Sequence, residues 1–463
     1  MYLCTSMLNP SLQVDFSNRK IIQMALPVAV AILIPQLIIL TNTFFIGNYH
    51  PQGNAILSQS LLAASGIAGI FFLTLSMIGY GLSSGLLMLF SRRAGEGDEA
   101  DLVRLFPHGI FLSLILSVVL MVLTTLLAPA IFTLAIHNEQ IRDAAISFIS
   151  IRFWGLPFVV VAQVCNSFML ATSNSSKIVA GTFGQTLVHM LFDYLLIFGH
   201  GGFPEMGLDG SAWASVLAEI VYAFTALAMV RWHPDLKRFR LPLITRYSID
   251  ELRMIMLKSS PLLVQYFLSI GAWQIFFFFV EHLGEAESAV SQVLRTVFGI
   301  VGLGAWALAS TSNSMVSNLI GQKAFNDVIP LVHRITKISF ILAFVLGFPL
   351  FLFPGYFLSL LTNNATLVQL GTGSLRIVVI ATWMLSVSTI YFNAVVGTGN
   401  TRLNMFFELT AIVFYLCYNM VVVEIKKAGL AWAWGSEFVY WFTLFSFSAF
   451  YLYRGSWRKQ ASL

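Results

Sequence analysis

Charge is what this sequence has least of. Of 463 residues, 26 are Lys or Arg and 21 are Asp or Glu, so charged side chains make up 10% of the chain. A soluble domain usually carries roughly 25%. So few charges cannot cover the surface of a chain this long in water, which excludes a soluble enzyme, a nucleic-acid binder and a disordered polymer. Cysteine is nearly absent too. Cys4, Cys165 and Cys417 are odd in number, far apart and form no CxxC, so neither a disulfide framework nor a zinc site is implied. No metal and no cofactor is expected. The opening residues lack the short apolar run and small-residue cleavage site of a signal peptide, so the first hydrophobic segment is expected to remain as a span. No P-loop is present, which argues against ATP drive from this chain.

What is there is hydrophobic, 57% of the chain, laid out in long unbroken runs. A membrane β-barrel would instead show alternating segments of about 10 residues. At about 20 apolar residues per crossing, twelve spans are expected at 21–46, 56–90, 107–133, 142–171, 177–199, 209–231, 252–282, 287–318, 329–353, 367–396, 402–424 and 429–453. The fold class is therefore an all-α polytopic membrane protein. Lys and Arg sort to one side of these spans, from Arg19 and Lys20 through Arg92, Arg93 and Arg104 to Arg458 and Lys459. The opposite side holds only Arg142, Lys426 and Lys427, and Arg152, Arg295 and Arg376 lie inside spans. Positive residues mark the cytoplasmic face, so both termini are expected to be cytoplasmic.

The chain reads as a duplication. Glu219-Ile-Val-Tyr-Ala-Phe-Thr225 in span six parallels Glu437-Phe-Val-Tyr-Trp-Phe-Thr443 in span twelve. Ala171-Thr-Ser-Asn174 parallels Gly397-Thr-Gly-Asn400, Arg152 parallels Arg376, and Pro27 parallels Pro261, all in chain order. The expected organisation is an amino-terminal lobe over 1–231, a basic cytoplasmic linker over 232–251 and a carboxy-terminal lobe over 252–463. Two pseudo-symmetric six-helix lobes with the same topology would flank a central cleft. Such an architecture is most often that of a transporter.

A charge inside hydrocarbon costs roughly 2.5–3.5 kcal/mol or more and needs a reason. Arg152 and Glu219 lie at matching depth in spans that enter from the same side, so they are expected to pair. The repeat extends that expectation to Arg376 and Glu437. Glu281 and Arg295 flank a short outer turn and form a third expected pair. Glu408, near the inner end of span eleven, reads as a snorkelling or packing residue. Asp193 differs, because its repeat counterpart is Asn419 and no Lys or Arg is left to match its depth. His189 stands one turn away on the same helix face. A buried carboxylate beside an imidazole can exchange a proton near neutral pH, which makes Asp193 and His189 candidates for ion coupling.

In their order and spacing these residues resemble multidrug and toxic compound extrusion (MATE) transporters, over nearly the whole chain. Leu26-Pro27 and Asn42-Thr-Phe-Phe-Ile-Gly47 are similar to the family's first span. Ala94-Gly-Glu-Gly-Asp98 and Ile320-Gly-Gln322 are similar to the loops after spans two and eight. Asp193-Tyr-Leu-Leu-Ile-Phe-Gly199 with Gly207-Leu-Asp-Gly-Ser-Ala-Trp-Ala-Ser215 is similar to spans five and six. The resemblance implies antiport of organic cations against H⁺ or Na⁺ by rocking of two six-helix lobes. In the DinF-like branch it implies a polar network whose first-span carboxylate falls on Asn42. The fifth-span Asn and Asp of that network fall on His189 and Asp193, its sixth-span hydroxyl on Ser215 and its fourth-span Asn on Asn166. Asn42 cannot carry a proton, so coupling would move to Asp193, helped by His189 or Glu219. The carboxy-lobe acids of the sodium-coupled branch fall on Ser269 and Leu385, which disfavours sodium in that lobe.

The expected protein is a monomeric multi-pass exporter of the bacterial cytoplasmic membrane. It would exchange a small organic, cationic or amphipathic compound for H⁺, or less readily Na⁺, with the lipid bilayer and no nucleic acid as its partners. One alternative is a flippase for lipid-linked saccharides or cell-wall precursors, which would need unpaired arginines in its cleft. Others are an intramembrane transferase using His189 and a non-transporting scaffold.

Overall fold

Helices form because a bilayer offers no partner to a free backbone N–H or C=O, and an α-helix satisfies each within its own segment. The computed structural model describes residues 12–49, 55–242, 246–360 and 364–458; Cys4, Lys459 and the outermost ends of the two expected lobes lie outside them. Among the described residues, ten helical segments are long and apolar enough to cross a membrane. In chain order they are α1 (Asn18–Gly47), α2 (Ala55–Glu96), α3 (Glu99–Ala135), α4 (Glu139–Ala171), α6 (Gly207–Trp232), α7 (Ile249–Glu281), α8 (Glu285–Gly321), α9 (Phe325–Leu352), α10 (Ala365–Gly397) and α11 (Thr401–Ile425). Two more polar helices, α5 (Ser176–Phe198) and α12 (Ser436–Arg454), bring the long helices to twelve. The chain is an all-α polytopic membrane protein.

Helix α3 shows why these segments face lipid. Leu114, Val118, Val122 and Leu126 repeat every four residues along its exposed face. Its buried face carries Ser113, Ser117 and Thr124. Each of these hydroxyls donates back to a carbonyl three or four residues earlier, at 2.7 Å. Apolar outside with small polar groups inside is the arrangement that suits a hydrocarbon surround. Pro107 and Pro129 in α3, Pro261 in α7 and Pro349 in α9 are all tolerated within helices.

Helix α4 is interrupted where it matters for the site. A 3₁₀ turn, Phe153–Gly155, follows Arg152, and Pro157 restarts the α-helix beyond it. Helix α11 ends in a π-helical turn, Met420–Ile425. The connections repeat their backbone geometry between the halves. Ser173 after α4 and Gly399 after α10 are both left-handed, with φ of 61° and 89°. Gly97 after α2 and Lys323 after α8 are left-handed as well, with φ of 72° and 61°.

The described chain forms two compact units. The amino-terminal one comprises Val30–Phe90 and Glu99–Ser259, and so takes in the basic stretch expected as a linker. It buries Phe72, Phe132, Phe148, Leu156, Ile197 and Leu208 in one cluster. The carboxy-terminal unit comprises Ser260 onward, together with Ser91–Asp98 and the described residues up to Ala29. Its core gathers Phe276, Phe298, Leu385, Tyr415 and Trp434.

Within the carboxy-terminal unit the end of α2 lies directly on the end of α8. Ser91 Oγ and Ser314 Oγ are 2.8 Å apart. A Cβ on Gly95 would fall 2.0 Å from the Asn318 carbonyl oxygen, and one on Gly321 would fall 2.2 Å from that of Arg92. Residues Leu12 to Phe16 strap across the same place. Asn318 Nδ2 donates to the Leu12 carbonyl at 3.0 Å, and its Oδ1 accepts from the Val14 amide at 3.0 Å. Gln322 Nε2 donates to the Val14 carbonyl, Gln13 Nε2 to that of Gly95, and the Arg334 guanidinium lies over the Phe16 ring.

Candidate functional site

A polar stripe on α6 organises the amino-terminal unit. Ser211, Ser215, Glu219 and Tyr222 are spaced four, four and three residues apart, which puts them on one helix face over roughly 16 Å. All four are buried. Each meets a different partner. Ser211 Oγ donates to Asn42 Oδ1 of α1 at 2.8 Å. Ser215 Oγ is hydrogen-bonded to His189 Nε2 of α5 at 2.8 Å. Glu219 Oε1 accepts from Arg152 Nη2 of α4 at 2.8 Å. Tyr222 OH accepts from Asn166 Nδ2 of α4 at 2.5 Å.

Asp193 is completely buried, one turn along α5 from His189. Its Oδ2 is 2.9 Å from His189 Nδ1, close enough for an ion pair but out of line for a hydrogen bond. Neither carboxylate oxygen takes a hydrogen bond from any described residue, and Thr186 Oγ1, also on α5, has no partner either. With Ser215 on Nε2 and the carboxylate beside Nδ1, the imidazole is flanked on both nitrogens.

The Arg152–Glu219 pair sits in the same unit but is differently provided for. The guanidinium lies 3.7 Å from the centre of the Phe72 ring, so its charge is met by a carboxylate and an aromatic face together. Gly155, in the 3₁₀ turn of α4, leaves the room that the Glu219 carboxylate fills.

The carboxy-terminal unit has its own stripe, on α11. Asn404 Nδ2 donates to Gln265 Oε1 of α7 at 2.9 Å. Glu408 Oε1 accepts from both Ser269 Oγ of α7 and Tyr440 OH of α12. Glu408 is 1% exposed, so it is a packed group and does not snorkel. Tyr415 OH donates to Glu437 Oε1 at 3.2 Å, and Trp441 Nε1 donates to Glu437 Oε2 at 2.9 Å. Asn419, where the repeat replaces Asp193, donates to the Tyr415 carbonyl at 3.0 Å.

Two expected ion pairs are corrected here. Arg376 does not meet Glu437. It is exposed, and its Nε donates to the Phe351 carbonyl at 3.3 Å, while Glu437 is held by Tyr415 and Trp441. Depth along a helix fixes height but not the face on which a side chain emerges, and Arg376 emerges on the outer face. Glu281 and Arg295 are not paired either, among the described residues. Arg295 lies 5.4 Å from the ring centres of both Trp273 and Phe277, so aromatic faces replace the carboxylate.

Ser211, Tyr222, Gly155, Tyr440 and Tyr415 join the site without being among the residues expected there. The sequence marks Ser211 and Tyr222 only by their four- and three-residue spacing from Ser215 and Glu219. Nothing local marked Gly155. Among the described residues, no group of three or more His, Cys, Asp or Glu side chains is placed to hold a metal.

Among the described residues, ten helices apolar enough to cross a membrane and two more polar ones, in two compact units that each bury a polar stripe, make this a multi-pass membrane protein. The chain belongs to the MatE family, whose family model matches residues 27–195 and 261–421, one stretch in each half. It is similar to the probable multidrug resistance protein NorM of Thermotoga maritima, 21% identical over 460 residues, which is 98% of this chain and 96% of that one. It is also similar to the protein of the same name from Synechocystis, 26% identical over 277 residues; that match spans 59% of either chain, less than two thirds of the relative's length. In fold it is similar to a transporter of the MOP superfamily from Pyrococcus furiosus, with a TM-score of 0.82 and 17% identity over 99% of this chain and 98% of that one.

Proposed function

We propose that this MatE member is a secondary active exporter of the bacterial cytoplasmic membrane, with both termini in the cytoplasm. It works as a monomer and moves a small organic, cationic or amphipathic compound outward in exchange for H⁺. The six-helix halves, 1–231 and 252–463 joined by the basic 232–251 stretch, act as lobes that alternately open a shared cleft to either side. The names of the NorM relatives support the multidrug reading.

The observation that carries the coupling role is the isolation of Asp193. It is buried, its oxygens lack hydrogen-bond donors among the described residues, and the group within ion-pair distance of it there is the His189 imidazole, a side chain able to gain or lose a proton. Glu219, by contrast, has the permanent charge of Arg152. Asp193 is therefore the proton carrier, and His189 shares the proton with it. Ser215 fixes the ring from its far side, and Asn42 and Asn166 tie α1 and α4 to the same α6 stripe through Ser211 and Tyr222. Glu219 holds Arg152 in place. A flippase for lipid-linked saccharides or cell-wall precursors, which needs unpaired arginines, keeps part of its support: Arg152 is neutralised by Glu219, but Arg295 and Arg376 have no carboxylate partner among the described residues.

The test is export of a fluorescent organic cation from proteoliposomes under a proton or a sodium gradient, imposed separately. Proton-driven export that disappears in Asp193→Asn is the expected result. Export driven by sodium alone would keep the exporter and remove the proton mechanism. Normal proton-driven export by Asp193→Asn would move coupling away from this residue.

A further inference from the structure

Three helices of the carboxy-terminal unit enclose an apolar groove. Phe340 of α9, Trp383 and Val387 of α10, and Trp441 and Phe445 of α12 line a cavity of about 330 Å³. That is the size of a small ligand site. The two N–H groups in its wall are already spent. Trp383 Nε1 donates to the Ala343 carbonyl at 3.1 Å, and Trp441 Nε1 donates to Glu437 Oε2 at 2.9 Å. The other lining side chains are hydrocarbon or thioether. A bound water needs several polar partners, and this wall offers it none. Ile341 and Val345 beside the groove on α9, and Phe442 and Phe450 on α12, are exposed. The groove is therefore continuous with the apolar surface that faces lipid, and what suits it is a hydrocarbon chain.

One end of the groove is polar. Along α9, His333, Lys337, Phe340 and Phe344 are spaced four, three and four residues apart and so share a face. His333 stands about 10 Å from Phe340 along the helix axis. Its Nε2 is 2.5 Å from the Tyr453 hydroxyl of α12, which is 3.5 Å from the Tyr391 hydroxyl of α10. The Tyr391 ring meets the Phe445 ring edge-on at 5.1 Å, which joins the polar end to the groove. His333, Lys337 and Tyr453 are exposed. Long side chains on a helix lean toward its N-terminus, so Lys337 leans back toward His333. Arg454, next to Tyr453, adds a second cation over the Phe450 ring. Acids are scarce on these helices: α10 has none, α9 has none from Val328 onward, and Glu437, the one in α12, lies at its opposite end. The geometry points to a binding site for one anionic phospholipid, whose acyl chain lies in the groove and whose phosphate accepts hydrogen bonds from His333, Lys337 and Tyr453. On the orientation proposed above this lipid belongs to the cytoplasmic leaflet; its recognition does not depend on that.

The test uses phosphatidylglycerol with a photoreactive diazirine in its acyl chain, diluted into phosphatidylcholine nanodiscs that hold the full chain. Mass spectrometry then locates the crosslinked residues. Adducts should concentrate around Val387 and Phe445, above the level on the exposed face of α3. Replacing the surrounding phosphatidylcholine with unlabelled phosphatidylglycerol should lower the groove adducts about fivefold, the effect of one lysine beside an anionic surface, and leave those on α3 unchanged. Lys337→Gln should remove most of that difference between the two lipids. Val387→Trp fills the groove and should abolish the adducts there. If that variant does not fold, the lipid exchange on the wild type still decides. Groove adducts no denser than those on α3, indifferent to the lipid exchange or retained in a folded Val387→Trp protein would overturn the inference.

Discussion

Gly155 and Glu219 occupy one space: a Cβ on Gly155 would lie 1.7 Å from Glu219 Oε2. The turn that interrupts α4 brings its backbone up against the carboxylate, and only hydrogen fits between them. Gly155→Ala should push Glu219 off Arg152, at a cost of about 1–3 kcal/mol for the polar groups left unsatisfied. Thermal unfolding in detergent measures this. A melting temperature equal to that of the wild type would show that Glu219 has somewhere else to go.

The Arg152–Glu219 pair should be costly to break and cheap to replace. Arg152→Met alone leaves a buried carboxylate without its partner, a loss of about 3–5 kcal/mol. Arg152→Met combined with Glu219→Leu removes both charges and should recover most of that stability. The four proteins of this cycle, compared by unfolding in the same detergent, give the coupling energy. Strictly additive losses would mean that the contact seen at 2.8 Å contributes nothing of its own.

At the α2–α8 contact the obstacles are backbone atoms, which cannot swing aside. Gly95→Ala and Gly321→Ala should each lower the melting temperature clearly, because their Cβ atoms would meet carbonyl oxygens at 2.0 and 2.2 Å. Gly184→Ala in α5 is the control. Nothing lies within 4 Å of its Cβ, and alanine there should be neutral or stabilising by up to about 1 kcal/mol. If all three variants melt alike, the two helix ends are not in the contact described.

Asn318 holds the Leu12–Phe16 strap through both atoms of its amide. Asn318→Ala should release the Val14 amide, whose hydrogen exchange should quicken roughly tenfold for a hydrogen bond worth about 1–1.5 kcal/mol. Exchange in α3, far from the substitution in the chain, should not change. An unaltered Val14 rate would mean that the strap is held by burial of Leu12 and Val14 alone.

Most of the architecture is legible in the sequence, because a bilayer imposes a length and a polarity on each helix. The expected span 142–171 corresponds to Glu139–Ala171, and 367–396 to Ala365–Gly397. The candidate site is less legible. Depth arithmetic joins Arg152 to Glu219, since both side chains turn inward, and fails for Arg376, whose azimuth it cannot give. The i, i+4 rule joins His189 to Asp193 because a single helix carries both. Asn166 is placed by the resemblance in the same network, yet its partner is Tyr222, on another helix. The contacts of Glu408 with Ser269 and Tyr440 depend on three helices meeting, and no local pattern in the sequence encodes that.

The left-handed turns give the chain a use for its own duplication. At each of the two repeated turns, one half has glycine and the other an ordinary residue: Gly399 stands against Ser173, and Gly97 against Lys323. A side chain in that conformation costs about 1–2 kcal/mol, and glycine avoids it. Each half is thus a ready-made template for repairing the other. An engineer seeking a sturdier protein can copy glycine from sister to sister, with Ser173→Gly and Lys323→Gly, and lose only the exposed Lys323 charge.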